Sequence, residues 1–155
     1  MRSIEHIVGV IGAGTCSEEI YAAAREVGFE IARRGWALVC GGLGGVMEGA
    51  ARGCREAGGV TIGLLPGARK EDSNPYITVP IATGLGEGRN LLVVRASDLL
   101  IAIAGGYGTL SEIALALKIG RTVIGLDTWR DIEGVKYVGC PAEAIGVAEK
   151  LLMLP

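Results

Sequence analysis

The sequence predicts an α/β protein with a mostly parallel sheet flanked by helices, and three observations indicate this class. Short apolar runs alternate with segments whose apolar residues recur at helical spacing. The 26 glycines cluster at the ends of the apolar runs, as turns do. Half of the 155 residues are hydrophobic and only 21% are charged, which is typical of a sheet buried on both faces. This length favours a single domain, which we place at residues 1–155.

Six strands are predicted, and helices connect most of them. The strands cover residues 4–11, 36–40, 60–65, 76–79, 99–103 and 122–126. Each helix has one apolar face, such as that of Ala24, Val27 and Ile31 in the first. Ser17 is a candidate N-cap for this helix, and Pro141 opens the last one. Because strand–helix–strand crossovers join parallel strands, this alternation predicts a parallel sheet.

Two segments lack a regular pattern. Residues 66–75 are polar and mixed in charge, so we expect an exposed loop that is a candidate lid over a site. Residues 129–139 are expected to form a loop with a short edge strand.

Charge, apolar content and cysteine spacing exclude several classes of function. The net charge is −2 without any basic cluster, so nucleic acid is not expected as a partner. No apolar run approaches the roughly 20 residues that cross a membrane. The first residues lack the features of a signal peptide, which favours a cytoplasmic protein. The four cysteines have no Cys-x-x-Cys spacing and His6 is the only histidine, so no metal site is expected.

Glycine-rich turns follow the first, second, fourth and fifth predicted strands. Since parallel strands end at one edge of a sheet, these turns are expected to converge on one ligand-binding rim. Glycines let the backbone approach an anion, and the following helix directs free N–H groups at it. The candidate phosphate-binding residues in these turns are Gly12, Gly14, Thr15, Gly41, Gly42, Gly45, Gly105, Gly106, Tyr107, Gly108 and Thr109.

Two of these turns keep alternative interpretations. The turn at residues 12–15 lacks the third glycine of a dinucleotide motif, and Cys40 stands where an acidic residue would end the second strand. NAD binding is therefore disfavoured, and the glycines could instead allow close packing of strand and helix. The turn at residues 41–45 is not a Walker A loop, because no Lys-Ser/Thr pair ends it. Met47, which follows it, is either a core residue or a ligand contact.

Arg89 and Glu112 are candidate functional side chains. Arg89 begins a helix, where the positive end of the helix dipole disfavours a cation unless an anion binds there. Its guanidinium matches phosphate or carboxylate, although an isolated arginine is usually a solvated surface residue. Glu112 lies in the helix after the fifth strand, where a carboxylate either complements the dipole or acts on a ligand.

The run Ala104-Gly105-Gly106-Tyr107-Gly108-Thr109-Leu110-Ser111-Glu112 resembles the hallmark Pro-Gly-Gly-x-Gly-Thr-x-x-Glu of the Lonely Guy (LOG) family, also labelled lysine decarboxylase-like. The run from Gly41 to Met47 is similar to the family's Gly-Gly-x-x-Gly-x-Met. The resemblance implies a Rossmann-like homodimer that hydrolyses cytokinin riboside 5′-monophosphates to free base and ribose 5-phosphate. It also implies that Arg89 and Glu112 are catalytic. Glu112 would stabilise positive charge on the ribose and position water, while Arg89 would orient the substrate.

Two departures from the family pattern favour a different branch. LOG enzymes usually have the run His-Glu-Arg-Lys at the arginine, whereas this chain has Glu87-Gly88-Arg89-Asn90, which lacks the histidine and the lysine. The second departure is Ala104, which replaces the hallmark proline. These features are more similar to the sister branch that includes molybdenum-cofactor carrier proteins, which bind a pterin phosphate without turning it over. Lysine decarboxylation is not expected, since no lysine lies in a glycine-rich turn.

The sequence therefore predicts a homodimer or homotetramer that binds a nucleoside monophosphate or molybdopterin at the glycine-lined rim. A molybdenum-cofactor carrier is the first expectation, and a LOG-like phosphoribohydrolase is the alternative.

Overall fold

A computed structural model describes residues 3–154 of the protein, which form one sheet covered by helices on both faces. The strands are β1 (Ile7–Gly12), β2 (Ala37–Cys40), β3 (Thr61–Leu65), β4 (Val79–Ala82), β5 (Leu99–Ile103), β6 (Thr122–Leu126) and β7 (Lys136–Val138). The helices are α1 (Glu18–Arg33), α2 (Val46–Glu56), α3 (Arg89–Ala96), α4 (Tyr107–Lys118) and α5 (Pro141–Leu152). Short 3₁₀ turns lie at Lys70–Asp72 and Gly86–Gly88.

All neighbouring strands of the sheet are parallel, in the order β4-β3-β2-β1-β5-β6-β7. The chain therefore builds outward from β1 to β4, returns to the other side of β1, and continues from β5 to β7. Every residue of β2 and β5 is buried, because helices cover both faces at the centre of the sheet. The predicted parallel α/β class is confirmed.

Two hydrophobic clusters fill the space between the sheet and its helices. On one face, α1, α2 and α5 contribute apolar side chains such as Ile31, Ala50 and Ile145. On the other face, α3 and α4 contribute Val93 and Ile113. The apolar faces predicted from helical spacing are thus the faces that pack on the sheet. Between residues 3 and 154, no helix has the length and apolar character needed to span a membrane.

Two predicted strand boundaries were wrong. β1 begins at Ile7 rather than at residue 4: Ser3, Ile4 and Glu5 are exposed, and the half-buried His6 contributes its carbonyl to a hydrogen bond from the Ala37 N–H of β2. The fourth strand is Val79–Ala82 instead of 76–79. A turn closed by the Ile77 N–H on the Asn74 carbonyl occupies the earlier residues. The short edge strand expected within residues 129–139 is β7.

Candidate functional site

A crevice opens at the carboxyl ends of β1 and β5, where the strand order reverses. Doubly wound sheets bind their ligands at this point, because the loops after the two strands diverge to opposite faces. A cavity of about 380 Å³ lies there. Eight of the residues predicted from sequence line it: Gly12, Gly14, Met47, Arg89, Gly106, Gly108, Thr109 and Glu112.

The start of α4 offers unoccupied backbone donors to this cavity. In α1, the Ser17 hydroxyl accepts a hydrogen bond from the Ile20 N–H at 3.2 Å, which satisfies one of the free donors of the first turn. The N-terminus of α4 follows Gly106 and has no such side-chain cap. Because the first N–H groups of a helix lack partners within it, the α4 N-terminus can bind an anion.

Arg89, the first residue of α3, adds a cation to the same cavity. Its Nε atom is buried and has no hydrogen-bond partner within residues 3–154. Among the residues that the structure describes, Arg89 forms no salt bridge with an acidic side chain. A buried guanidinium donor without a partner is costly, so a ligand anion would complete this environment.

Gly41 makes room for the Arg89 side chain. A Cβ atom at Gly41 would lie 1.6 Å from Arg89 Nη1, which is closer than two nonbonded atoms can approach. Gly41 does not itself line the cavity. The structure thus gives Gly41 a steric role, in which it makes space for the cation, and its contact with phosphate stays a prediction.

Glu112 lies one turn into α4 and is only 7% exposed. Burial raises the pKa of this carboxyl to about 7, although the positive charge of Arg89 acts in the opposite direction. A carboxyl with this pKa exchanges its proton near neutral pH. It can therefore act as either an acid or a base beside the cavity.

The glycine turn between β5 and α4 is held in a conformation that few residues adopt. Gly105 has a φ of +108°, and a Cβ atom there would lie 2.2 Å from Thr109 Oγ1. Thr109 itself is buried and lines the cavity. Ala104 has a φ of +53°, which the ring of proline excludes. This turn conformation is thus incompatible with the proline of the LOG hallmark.

The turn after β2 packs against the turn after β1. Gly45 has a φ of +64°, and the next N–H, of Val46, donates to the Ala13 carbonyl at 2.9 Å. Met47 packs in the core and also contributes to the cavity wall, and its contact with a ligand stays a prediction. Below the turn, burial raises the pKa of the Cys40 thiol to about 11 and keeps it protonated.

Several predicted residues lie outside the cavity, and several cavity residues were not predicted. The predicted residues that do not line it are Thr15, Gly41, Gly42, Gly45, Gly105 and Tyr107. The unpredicted lining residues are Ala13, Pro66, Gly86, Glu87 and Asn90. The glycine-rich sequence before Arg89 could have indicated that Gly86 and Glu87 line the cavity. The sequence around Pro66 has no feature that indicates a place in the cavity wall.

Tyr107 extends into solvent instead of into the cavity, with 83% of its surface exposed. Its ring lies 5.7 Å from that of Trp129, and it borders a neighbouring groove with Leu91 and Leu115. Tyr107 is therefore placed beside the site and not against its buried donors.

Both ends of the 66–75 loop are attached to the site. The Pro66 carbonyl accepts a hydrogen bond from the Gly86 N–H at 2.9 Å. At the other end, the Asn74 N–H and side-chain amide donate to the carbonyls of Gly42 and Leu43, each at 2.9 Å. Movement of this loop as a lid, which stays a prediction, would involve only its middle.

Fold and site together define a doubly wound α/β protein with a crevice at its strand-order reversal that is lined by Arg89 and the uncapped start of α4. The chain belongs to the SLOG cluster4 family, whose model matches residues 5–146.

Solved structures and curated relatives agree with this assignment. A molybdenum cofactor binding protein from Rippkaea orientalis has 35% identity and a TM-score of 0.90, over 99% of both chains. The molybdenum cofactor carrier protein of Chlamydomonas reinhardtii has 36% identity and a TM-score of 0.87, over 99% of this chain and 100% of that one. A cytokinin riboside 5′-monophosphate phosphoribohydrolase of Mycobacterium tuberculosis is 32% identical over 76% of this chain and 68% of the enzyme. The resemblance to a LOG-like family that includes molybdenum-cofactor carriers is confirmed.

Proposed function

We propose that this protein binds a small molecule through its phosphate group, which would lie between the α4 N-terminus and Arg89. The observation that carries the proposal is the buried Nε of Arg89, which has no hydrogen-bond partner among the described residues. Arg89 lines the same cavity as an uncapped helix N-terminus, and a guanidinium and a helix N-terminus are both donors suited to an anion. The cavity of about 380 Å³ is within the usual range for small-molecule sites.

The first candidate ligand is a phosphorylated pterin, with the protein acting as a binding or carrier protein for molybdenum cofactor. Similarity to two solved proteins of that description over nearly the whole chain supports this choice. Three local departures from the LOG pattern support it too: Gly88, Asn90 and the left-handed Ala104. In this function the pterin and its molybdenum are cargo, and Arg89 and the α4 N–H groups would hold the phosphate.

The second candidate is hydrolysis of a nucleoside 5′-monophosphate, and Glu112 is the observation that favours it. Water would add to the anomeric carbon while the bond to the base nitrogen breaks and its electron pair leaves with the base. Glu112 has a pKa of about 7, and its ionised form would accept the proton of the water. A proton from solvent would neutralise the released base. Arg89 would orient the 5′-phosphate.

One panel of ligands separates the two candidates. Purified protein is incubated with AMP and related 5′-monophosphates, and free base and ribose 5-phosphate are measured. Release that disappears in Glu112→Gln supports the hydrolase. Binding without release across the panel, together with tight binding of molybdopterin, supports the carrier. Absence of binding to every phosphorylated ligand would contradict both.

Thr109→Val tests where the phosphate binds. Loss of the hydroxyl should weaken binding of phosphorylated ligands by about 0.5–3 kcal/mol, because one donor at the helix start is removed. Thr109→Ser, which keeps the hydroxyl, is the matched control. Equal losses for AMP and adenosine would place the phosphate elsewhere.

We also propose that the protein is a homodimer or homotetramer. Leu85, Leu91 and Leu92 near α3 are all more than a third exposed, as is Tyr107 at the start of α4. Association would cover this apolar surface. Light scattering coupled to size-exclusion chromatography gives the mass, and a monomer at micromolar concentration would contradict the proposal.

A further inference from the structure

The loop between β6 and β7 contacts the glycine turn that precedes α4. Asp127, directly after β6, has a φ of +49°, so the chain turns sharply there. The next residue, Thr128, is only 9% exposed, and its hydroxyl donates to the Ala104 carbonyl at 2.7 Å. The Trp129 indole N–H donates to the Gly106 carbonyl at 2.9 Å. Two side chains of one loop thus hold two carbonyls of the other.

These bonds fix the direction of the N–H groups on the same peptides. In a trans peptide the carbonyl and the N–H point to opposite sides. Holding the Ala104 carbonyl against Thr128 therefore turns the Gly105 N–H away from the β6–β7 loop. The Gly106 carbonyl accepts from both Trp129 and the Leu110 N–H, which aims the Tyr107 N–H outward from the start of α4.

The supporting loop is itself anchored to the sheet. The Tyr137 hydroxyl, on β7, donates to the Trp129 carbonyl and accepts from the Ile132 N–H. The Trp129 ring also stacks on Tyr107, with 5.7 Å between ring centres. A continuous series of contacts therefore runs from β7 through Trp129 to the glycine turn.

We infer that Thr128 and Trp129 are positioning residues that hold the turn at residues 104–106, and with it the cavity-lining start of α4 at Gly106, Gly108 and Thr109, in the arrangement that receives the ligand's phosphate. They act on the ligand only through the turn at residues 104–106. This inference rests on the proposed phosphate-binding function for its ligand, although the rigidity of the turn can be measured without any ligand.

The first measurement is the backbone order parameter of the turn by ¹⁵N NMR relaxation on the ligand-free protein. In the wild type, Gly105 and Gly106 should have values of about 0.85, typical of rigid backbone. In Thr128→Val and in Trp129→Phe, these values should fall toward about 0.6. Thr128→Ser restores the hydroxyl and should restore the value. Thr122→Val, at the opposite end of β6, is the control and should leave the turn rigid.

The second measurement compares affinity for AMP with affinity for adenosine. Thr128→Val should reduce the preference for AMP about 10-fold and leave adenosine binding unchanged, since only the phosphate contacts depend on the turn. Thr128→Ser should retain the wild-type preference.

The two measurements separate failure of this inference from failure of the proposed function. Rigid turns in both Thr128→Val and Trp129→Phe would overturn the inference, as would equal losses for AMP and adenosine. A wild-type protein that binds no phosphorylated ligand would overturn the proposed function instead, and the order parameters would still decide whether these residues hold the turn.

Discussion

Glu112 should make the stability of this protein depend on pH in a calculable way. Burial raises the pKa of its carboxyl from the ordinary 4.5 to about 7 in the folded protein. Between these pH values the folded state binds more protons than the unfolded state, so stability falls as pH rises from about 4.5 to about 7 and then levels off. Because a tenfold change in proton affinity corresponds to about 1.36 kcal/mol, the total loss is about 3 kcal/mol.

Replacing Glu112 by glutamine removes this loss, because the amide has no proton to release. The difference in free energy of unfolding between Glu112→Gln and the wild type at pH 4.5 is the reference value. At pH 8 this difference should have shifted by about 3 kcal/mol in favour of the variant. Urea unfolding, followed by the fluorescence of Trp36 and Trp129, measures both free energies. Glu133→Gln changes an exposed carboxyl and should follow the wild-type curve.

The result that would refute this reasoning is a parallel pair of curves. If the free energies of unfolding of the wild type and of Glu112→Gln keep the same difference from pH 4.5 to pH 8, then Glu112 titrates alike in the folded and unfolded states. The carboxyl would then be well solvated or strongly paired with Arg89, and its assignment as a proton-exchanging group at neutral pH would be wrong.

Two further substitutions test the turns around the cavity. Gly41→Ala should displace the Arg89 guanidinium and weaken binding of phosphorylated ligands by about 10-fold or more, measured by calorimetry. Gly146→Ala, in open space on α5, is its control and should leave binding intact; normal affinity in Gly41→Ala would contradict the steric role given to this glycine. Ala104→Pro should destabilise the protein by more than about 1 kcal/mol in thermal unfolding, because proline excludes a φ of +53° and removes the N–H that donates to the Leu126 carbonyl. Ala104→Gly permits that φ and should remain as stable as the wild type, whereas a fully stable Ala104→Pro would show that the turn adopts another conformation.

The parallel sheet could be predicted because its strands leave a strong local signal. β5 is buried along its whole length, so its sequence is an uninterrupted run of apolar residues. The place of the site also follows from sequence, since parallel strands bring the turns after β1 and β5 to one edge. β4 was harder to delimit because it is an exposed edge strand. It contains Pro80 and has little apolar periodicity.

The roles of individual glycines could not be predicted, because they depend on distant parts of the chain. Gly41 and Arg89 are far apart in sequence, and only the folded protein brings the arginine against the space that the glycine leaves. The same holds for Thr128, whose bond to Ala104 crosses from β6 to β5. The left-handed φ of Ala104 also has no sequence signal, since alanine seldom adopts it.

The proton on Glu112 connects the two candidate functions. A hydrolase needs this carboxyl to be ionised so that it can stabilise positive charge on the ribose and accept a proton from water. A carrier has the opposite need, because a bound phosphate beside Arg89 is repelled by an ionised Glu112 and tolerates the neutral acid.

A pKa of about 7 leaves both the ionised and the neutral form of Glu112 populated in the free protein. Phosphate binding should therefore draw a proton onto Glu112, and affinity should fall from pH 7 to pH 9 in the wild type but not in Glu112→Gln. A calorimetric titration in buffers of different ionisation enthalpy measures this proton directly. Its absence would show that the phosphate does not bind next to the glutamate.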